Sequence, residues 1–219
     1  MPSTRGEPVY LERGSKRVFA CSLRWPGWCR SGRSEEAALD ALAQYGARYA
    51  AVARLAGLDF PSGEVPFEVT EVVPGSMTTD FGAPDSVAQS DLRPAAAAEA
   101  KRQVALLEAS WALFGEVVAR TPDELRKGPR GGGRDRDTMH DHVLGAEAAY
   151  ARKIGVRHKQ PSLVDDSAVA ALRTDIVAAL RGPWTGDPLR PKGWPPAYAV
   201  RRIAWHVLDH AWEMEDRAQ

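Results

Sequence analysis

Of the five histidines in the chain, His206 and His210 stand four residues apart in Trp205-His206-Val207-Leu208-Asp209-His210. On a helix that spacing puts two imidazoles on one face, one turn apart, where both can reach one ion. A helical wheel over this stretch sets His210 in one sector with Ile203, Val207 and Met214, and His206 beside it, while Trp205, Leu208 and Trp212 point elsewhere. Imidazoles on an apolar stripe cost desolvation unless something satisfies them, and a metal ion would do so. Val207 follows His206 where a zincin carries glutamate, so peptide hydrolysis by that route is not expected. A third ligand must come from another helix. His140 and His142 are two apart and point to nearly opposite sides; His142 shares its side with Met139, Ala146, Ala149 and Tyr150, whereas His140 falls beside Arg136 and Glu147. His142 is therefore the better third ligand, and His158, in polar Arg157-His158-Lys159-Gln160, is expected to be exposed. Asp209 and Glu213 lie close enough to the ligand face to orient an imidazole by hydrogen bonding, with solvated surface carboxylates as the alternative.

The elements that must position these rings are helices. Pro94 to Arg120 reads as one long amphipathic helix with Val104, Leu107, Trp111 and Val118 near helical spacing. Further helices are predicted over about 137–154, with Gly155 as the stop, over about 166–180, and over 196–216. Four such helices imply a bundle. Residues 126–136 are a basic, glycine-rich connector without the Lys-Ser/Thr of a phosphate-cradling loop, which reads as solvated loop or as an anion-binding segment. Trp184 to Pro195 is an ordered loop placed to cover one end of the bundle.

A long helix, then His142 in Asp141-His142-Val143-Leu144-Gly145-Ala146-Glu147, then His-x-x-x-His on the last helix resembles the DinB-like superfamily over about residues 92–217. The ending from Trp205 to Arg217 is similar to its mycothiol-dependent maleylpyruvate isomerase-like branch. The resemblance implies a four-helix bundle in which His142, His206 and His210 hold one divalent ion, zinc or nickel. It also implies a thiol transferase or isomerase: a small thiol would bind the ion, lose its proton more easily and attack a small electrophile beneath the loop around Trp184 and Trp194. The protein would supply no nucleophile of its own.

The first half has a different grammar, punctuated by Gly and Pro up to about Gly75. Pro8 to Leu11 and Arg17 to Leu23 read as a hairpin, Ser34 as the N-cap of a helix reaching about Ala56, and Phe67 to Val72 as a third strand. The order is β-β-α-β. Residues 74–85 read as an exposed linker, giving domains 1–85 and 86–219 and an α+β unit followed by an all-α one. Phe19-Ala20-Cys21, Trp25-Pro26-Gly27-Trp28-Cys29 and Gly32-Arg33-Ser34-Glu35-Glu36-Ala37 together resemble the HicB-like antitoxin fold over about residues 8–73. A rival, non-enzymatic reading follows: this module contacts a protein partner or small ligand, and the metal bundle is scaffold.

Composition narrows the classes. Twenty-nine Lys and Arg balance 29 Asp and Glu, and residues 1–75 hold nine of each sign, so no basic footprint for nucleic acid exists. No apolar run approaches the roughly 20 residues of a membrane span, and the first residues lack a secretory pattern, so a cytoplasmic protein is expected, with a homodimer left open. Cys21 and Cys29, too few for a disulfide framework, are expected as reduced structural thiols.

Overall fold

A computed structural model describes residues 6–61, 63, 65–128 and 132–218. It is a mixed α+β fold in which a four-stranded sheet precedes the long helices. Strand β1 (Glu7–Arg13) turns at Gly14, whose amide donates to the Arg17 carbonyl at 2.9 Å, and pairs antiparallel with β2 (Val18–Ser22). The sheet order is β3-β2-β1-β4, with β4 (Phe67–Pro74) parallel to β1. Strand β3 (Cys29–Gly32) is the one the sequence pattern does not announce. Its four residues are too short and polar to show alternation, and it is a strand because β2 supplies its hydrogen-bonding partner. Cys21 and Cys29 are register partners across that pair, with Cα atoms 4.1 Å apart, and are joined as a disulfide, which corrects the expectation of reduced thiols.

The single helix expected from Ser34 to Ala56 is two. The Ser34 hydroxyl caps α1 (Glu35–Gln44), accepting from the Ala37 amide at 3.1 Å. The chain then turns at Tyr45, and Gly46, a poor helix former, opens α2 (Gly46–Leu55). The break serves packing. It seats the Tyr45 ring against Trp212, 5.0 Å between centroids, and lets the buried Tyr49 hydroxyl donate to the Pro26 carbonyl at 2.8 Å. The observed order of the first half is thus β-β-β-α-α-β.

The segment expected as an exposed linker is fastened down. Ser76 caps a short helix α3 (Met77–Phe81), and the fully buried Glu12 carboxylate on β1 accepts from the Thr79 hydroxyl at 2.6 Å and from the Asp85 and Ser86 amides at 3.0 Å each. One carboxylate in the core side of a strand therefore gathers three donors from the following loop. Met77 and Phe81 still face outward. A 3-10 turn (Gln89–Leu92) leads into the long helices α4 (Ala97–Arg120), α5 (Arg136–Lys153), α6 (Asp166–Leu180) and α7 (Pro196–Arg217). Their bounds fall within about three residues of those predicted, and of the glycine-rich connector over 126–136 the structure describes residues 126–128 and 132–136.

Helix α7 packs on α4 and α5, α5 on α6, and α2 on α4. One apolar core therefore runs from Val9, Trp28 and Tyr49 of the first half to Leu107, Phe114, Ile176 and Ile203 of the second. Gly27, with φ of +90°, lets the Trp25–Trp28 loop lie directly on α7: a Cβ there would sit 2.7 Å from Leu208 Cδ1. None of the described helices is long and apolar enough to cross a membrane. Glu12→Ala removes the acceptor of three donors and should destabilise the protein by about 2–4 kcal/mol in urea titration, against about 0.5 kcal/mol or less for the exposed Phe81→Ala. A Glu12→Ala loss no larger than that of Phe81→Ala would contradict this account of the linker.

Candidate metal centre

The site grows out of α7, a helix with almost no solvent face. From Tyr198 to Met214 only Asp209 and Glu213 escape full burial, and they flank His210 on either side. The residues expected to point away from the histidine face, Trp205, Leu208 and Trp212, are buried as well, because the first half covers them: Trp205 meets Phe19 edge-on at 6.0 Å and Trp212 meets Tyr45. With one side taken by the sheet and its loops, α7 offers its other side to α5.

There His142 meets His206 and His210. Each offers one ring nitrogen, and the three nitrogens lie within 4.8 Å of one another. His206 Nε2 and His142 Nε2 face each other at 3.3 Å, and the ring centroids are 4.6–5.1 Å apart. His206 and His210 are 7% and 9% exposed, while His142 is half-buried. Burial, reinforced by the neighbouring His210, holds the His206 imidazole well below its usual range, and burial lowers that of His142. Both rings are thus neutral, with lone pairs available.

Glu213 supplies orientation. Its Oε2 lies 3.1 Å from His210 Nδ1, so that nitrogen carries the hydrogen and Nε2 keeps its lone pair. Its Oε1 accepts from Arg217 Nη1 at 2.8 Å. The hydrogen bond from His210, with Arg217 behind it, holds the Glu213 carboxyl below its usual range. Arg217 is in turn pinned by the glycine-rich connector, donating from Nε to the Arg126 carbonyl at 2.9 Å, and Gly133, at φ +125°, comes so close that a Cβ would lie 2.6 Å from Arg217 Nη2. The connector read as solvated loop or anion site is, where described, the far end of a chain that runs through Arg217 and Glu213 to His210; its residues 129–131 lie outside the described residues.

Asp209, the other carboxylate expected to orient an imidazole, turns to the first half, accepting from Arg30 Nη1 of β3 at 2.8 Å. Arg30 also lies 4.0 Å over the Tyr45 ring. A cleft of about 310 Å³ between β2–β3 and the C-terminal part of α7 is lined by both groups and by Glu213. The other two histidines stay apart. His140 is half-buried, edge-on to Phe114 at 5.4 Å, and His158, expected to be exposed, is half-buried with Nε2 2.7 Å from Asp175 Oδ2. The covering loop carries Trp194, which packs on Tyr150 and Tyr198 at 5.1 and 5.0 Å, and Tyr150 meets His206 edge-on at 5.6 Å. Tyr150 was legible as a neighbour of His142 on its face. Trp194 belongs to the loop expected to cover the site, whereas Arg217 carries no local signal, since only the folded connector brings its partners to it.

Glu147, which marks a polar direction in the sequence, is fully buried and pairs in two-pronged fashion with Arg173 of α6, both contacts at 3.1 Å. This pair clamps α5, the helix that carries His142, onto α6. Comparison with family models, curated proteins and solved structures gives no match to this chain.

Burial raises the Glu147 carboxyl above its usual range, with Arg173 opposing. Arg173→Met should therefore cost about 3 kcal/mol at neutral pH, by leaving a buried carboxylate uncompensated. Because the folded-state value then rises further above the unfolded one, the loss should shrink as pH falls toward 4.5, where the carboxyl takes up a proton in the folded protein first. Guanidinium melts at pH 7 and pH 5 check this, and a pH-independent loss would contradict it.

Proposed function

We propose that the chain is a DinB-like divalent-metal protein, carrying a HicB-like module as its first half, that acts as a thiol-dependent transferase or isomerase on small electrophiles. The observation that carries this reading is the meeting of three imidazoles from two helices, two of them nine-tenths buried. The donor set fits a metal on its own chemistry: neutral rings face one another with lone pairs inward, and Glu213 fixes the tautomer of His210 from behind. Three nitrogen ligands suit zinc or nickel. In this reading α4 to α7 form the DinB-like four-helix bundle. When bound, an ion held by three imidazoles keeps a coordination position for a thiol and lowers the energy of its thiolate.

The chain's own residues then divide the remaining work. His142, His206 and His210 hold the ion, Glu213 and Arg217 orient, and Tyr150 and Trp194 shield the His206 side from water. The two cysteines are engaged with each other on the far side of α7 from His142, so the nucleophile comes with the thiol. A second reading, in which the metal is structural and the first half binds a partner, draws support from edge strand β4, where Val69 and Val72 are 42% and 47% exposed.

His206→Ala should reduce bound zinc from about one equivalent to none while leaving the helical circular dichroism near that of wild type, and His140→Ala should keep full zinc. Equal zinc in wild type and His206→Ala would overturn the assignment. Glu213→Gln should weaken zinc by roughly 10–100-fold in a competitive chelator titration. Metal-loaded wild type should accelerate conjugation of a small thiol to a generic electrophile such as monobromobimane, and His206→Ala should not. A metal-loaded protein inert toward a panel of thiols would favour the structural reading.

A further inference from the structure

Where the sheet, the 3-10 turn, α4 and α7 meet, the two halves of the chain leave a cleft of about 310 Å³. Pro8 of β1 with Leu23 and Pro26 line it from the first half, and Ala197 of α7 from the second, so its walls are largely apolar. Polar groups are built into it. Asp91 and Arg201 are 3% and 5% exposed and pair with each other, and Gln103 of α4 is 8% exposed. The Gln103 amide nitrogen donates to Glu99 Oε1 at 2.7 Å, which leaves its oxygen without a partner among the described residues. Small-ligand sites favour such junctions between units, and this volume admits only a small molecule.

Two further charged groups line the cleft, Glu71 of β4 and Arg93, and neither has an opposite charge among the described residues. The Glu71 carboxylate accepts from the Gln89 and Ser90 amides at 2.6 and 3.4 Å, and Arg93 directly follows Leu92, the last residue of the 3-10 turn. The two charges therefore flank opposite ends of a turn about 8 Å long. An ammonium and a carboxylate borne on one carbon, each with a hydrogen bond of about 2.8 Å to its partner, span a similar distance. A simple anion would leave Glu71 unmatched and a simple cation would leave Arg93 unmatched, whereas a molecule carrying both charges answers both.

We infer that this cleft binds a small zwitterion, a free α-amino acid with an apolar side chain. Its ammonium meets Glu71 and the Gln103 oxygen, its carboxylate meets Arg93, and its side chain lies against Leu23, Pro26 and Ala197. The Asp91–Arg201 pair is the floor of the site rather than a ligand to it, because Arg201 is already held by both Asp91 oxygens and by the Tyr10 hydroxyl. None of the three clustered histidines lines this cleft, and the inference does not depend on the metal reading.

The test is calorimetric titration of the full chain with L-leucine, with leucinamide, which lacks the carboxylate, and with N-acetyl-L-leucine, which lacks the ammonium. Wild type should bind L-leucine at one saturable site, about tenfold or more tightly than either derivative. Arg93→Gln should bring L-leucine down to the level of leucinamide, and Glu71→Gln should bring it down to that of N-acetyl-L-leucine. Glu68→Gln, on the same strand and outside the cleft, should leave L-leucine binding unchanged. Absence of saturable heat with L-leucine, a derivative that binds wild type as tightly, or L-leucine binding undiminished in either cleft variant would each overturn the assignment. Should Glu71→Gln fail to fold, the exposed Arg93 carries the test alone: L-leucine binding weakened tenfold in Arg93→Gln and less in Arg93→Lys supports the inference, and equal binding in wild type and Arg93→Gln defeats it.

Discussion

Helix α7 has to satisfy two partners at once, and the rest of the molecule is arranged around that constraint. A surface helix needs only one apolar stripe. Here both flanks are buried, the first half covering Trp205, Leu208 and Trp212 while α4 and α5 cover the Ile203, Val207 and Met214 side. A polar group on such a helix is costly unless it finds a partner within the protein, and several do. Arg201 does so through Asp91 and the Tyr10 hydroxyl, Asp209 through Arg30, and Glu213 through His210 and Arg217. His206 and His210 face the same cost. Their meeting with His142 gives His206 Nε2 a partner at 3.3 Å.

The polar contacts across α7 also explain why the two halves behave as neighbours. Arg30 to Asp209, Arg48 to Asp216, and Asp91 to Arg201 each join a residue before α4 to one on α7. The exposed pair contributes little, whereas the buried Asp91–Arg201 pair would be costly to break from either side. The helix that carries His206 and His210 is therefore held on its back by groups that never touch the histidine cluster. Rigid support of this kind is what keeps the three imidazoles together.

Much of this was legible in the sequence, and what was not has a common cause. Helices α4 to α7 declared themselves through apolar periodicity, Pro at the start of α7 and Gly155 after α5, all local signals. The choice of His142 over His140 followed from which side of α5 is apolar, and the structure places His142 with His206 and His210 and His140 against Phe114. Strand β3 and the turn at Tyr45 were hidden because they depend on partners far along the chain, β2 in one case and Trp212 in the other. The fastening of residues 76–86 was hidden for the same reason: a glutamate within a strand reads as a solvent-facing residue until the loop that caps it is in place. The orienting role divided unevenly between Asp209 and Glu213, since α7 turns one toward the sheet and the other toward His210. Wheel geometry placed both near the ligands and could not choose.

The claim on which the account turns is that three imidazoles, from α5 and α7, share one ion. X-ray absorption at the zinc edge of the zinc-loaded full chain tests it most directly. The account predicts a first shell of nitrogen and oxygen scatterers at about 2.0–2.1 Å, with the outer-shell signature of three imidazole rings, falling to two in His142→Ala. A shell containing sulfur near 2.3 Å in the absence of added thiol, or an imidazole signature unchanged by His142→Ala, would contradict it.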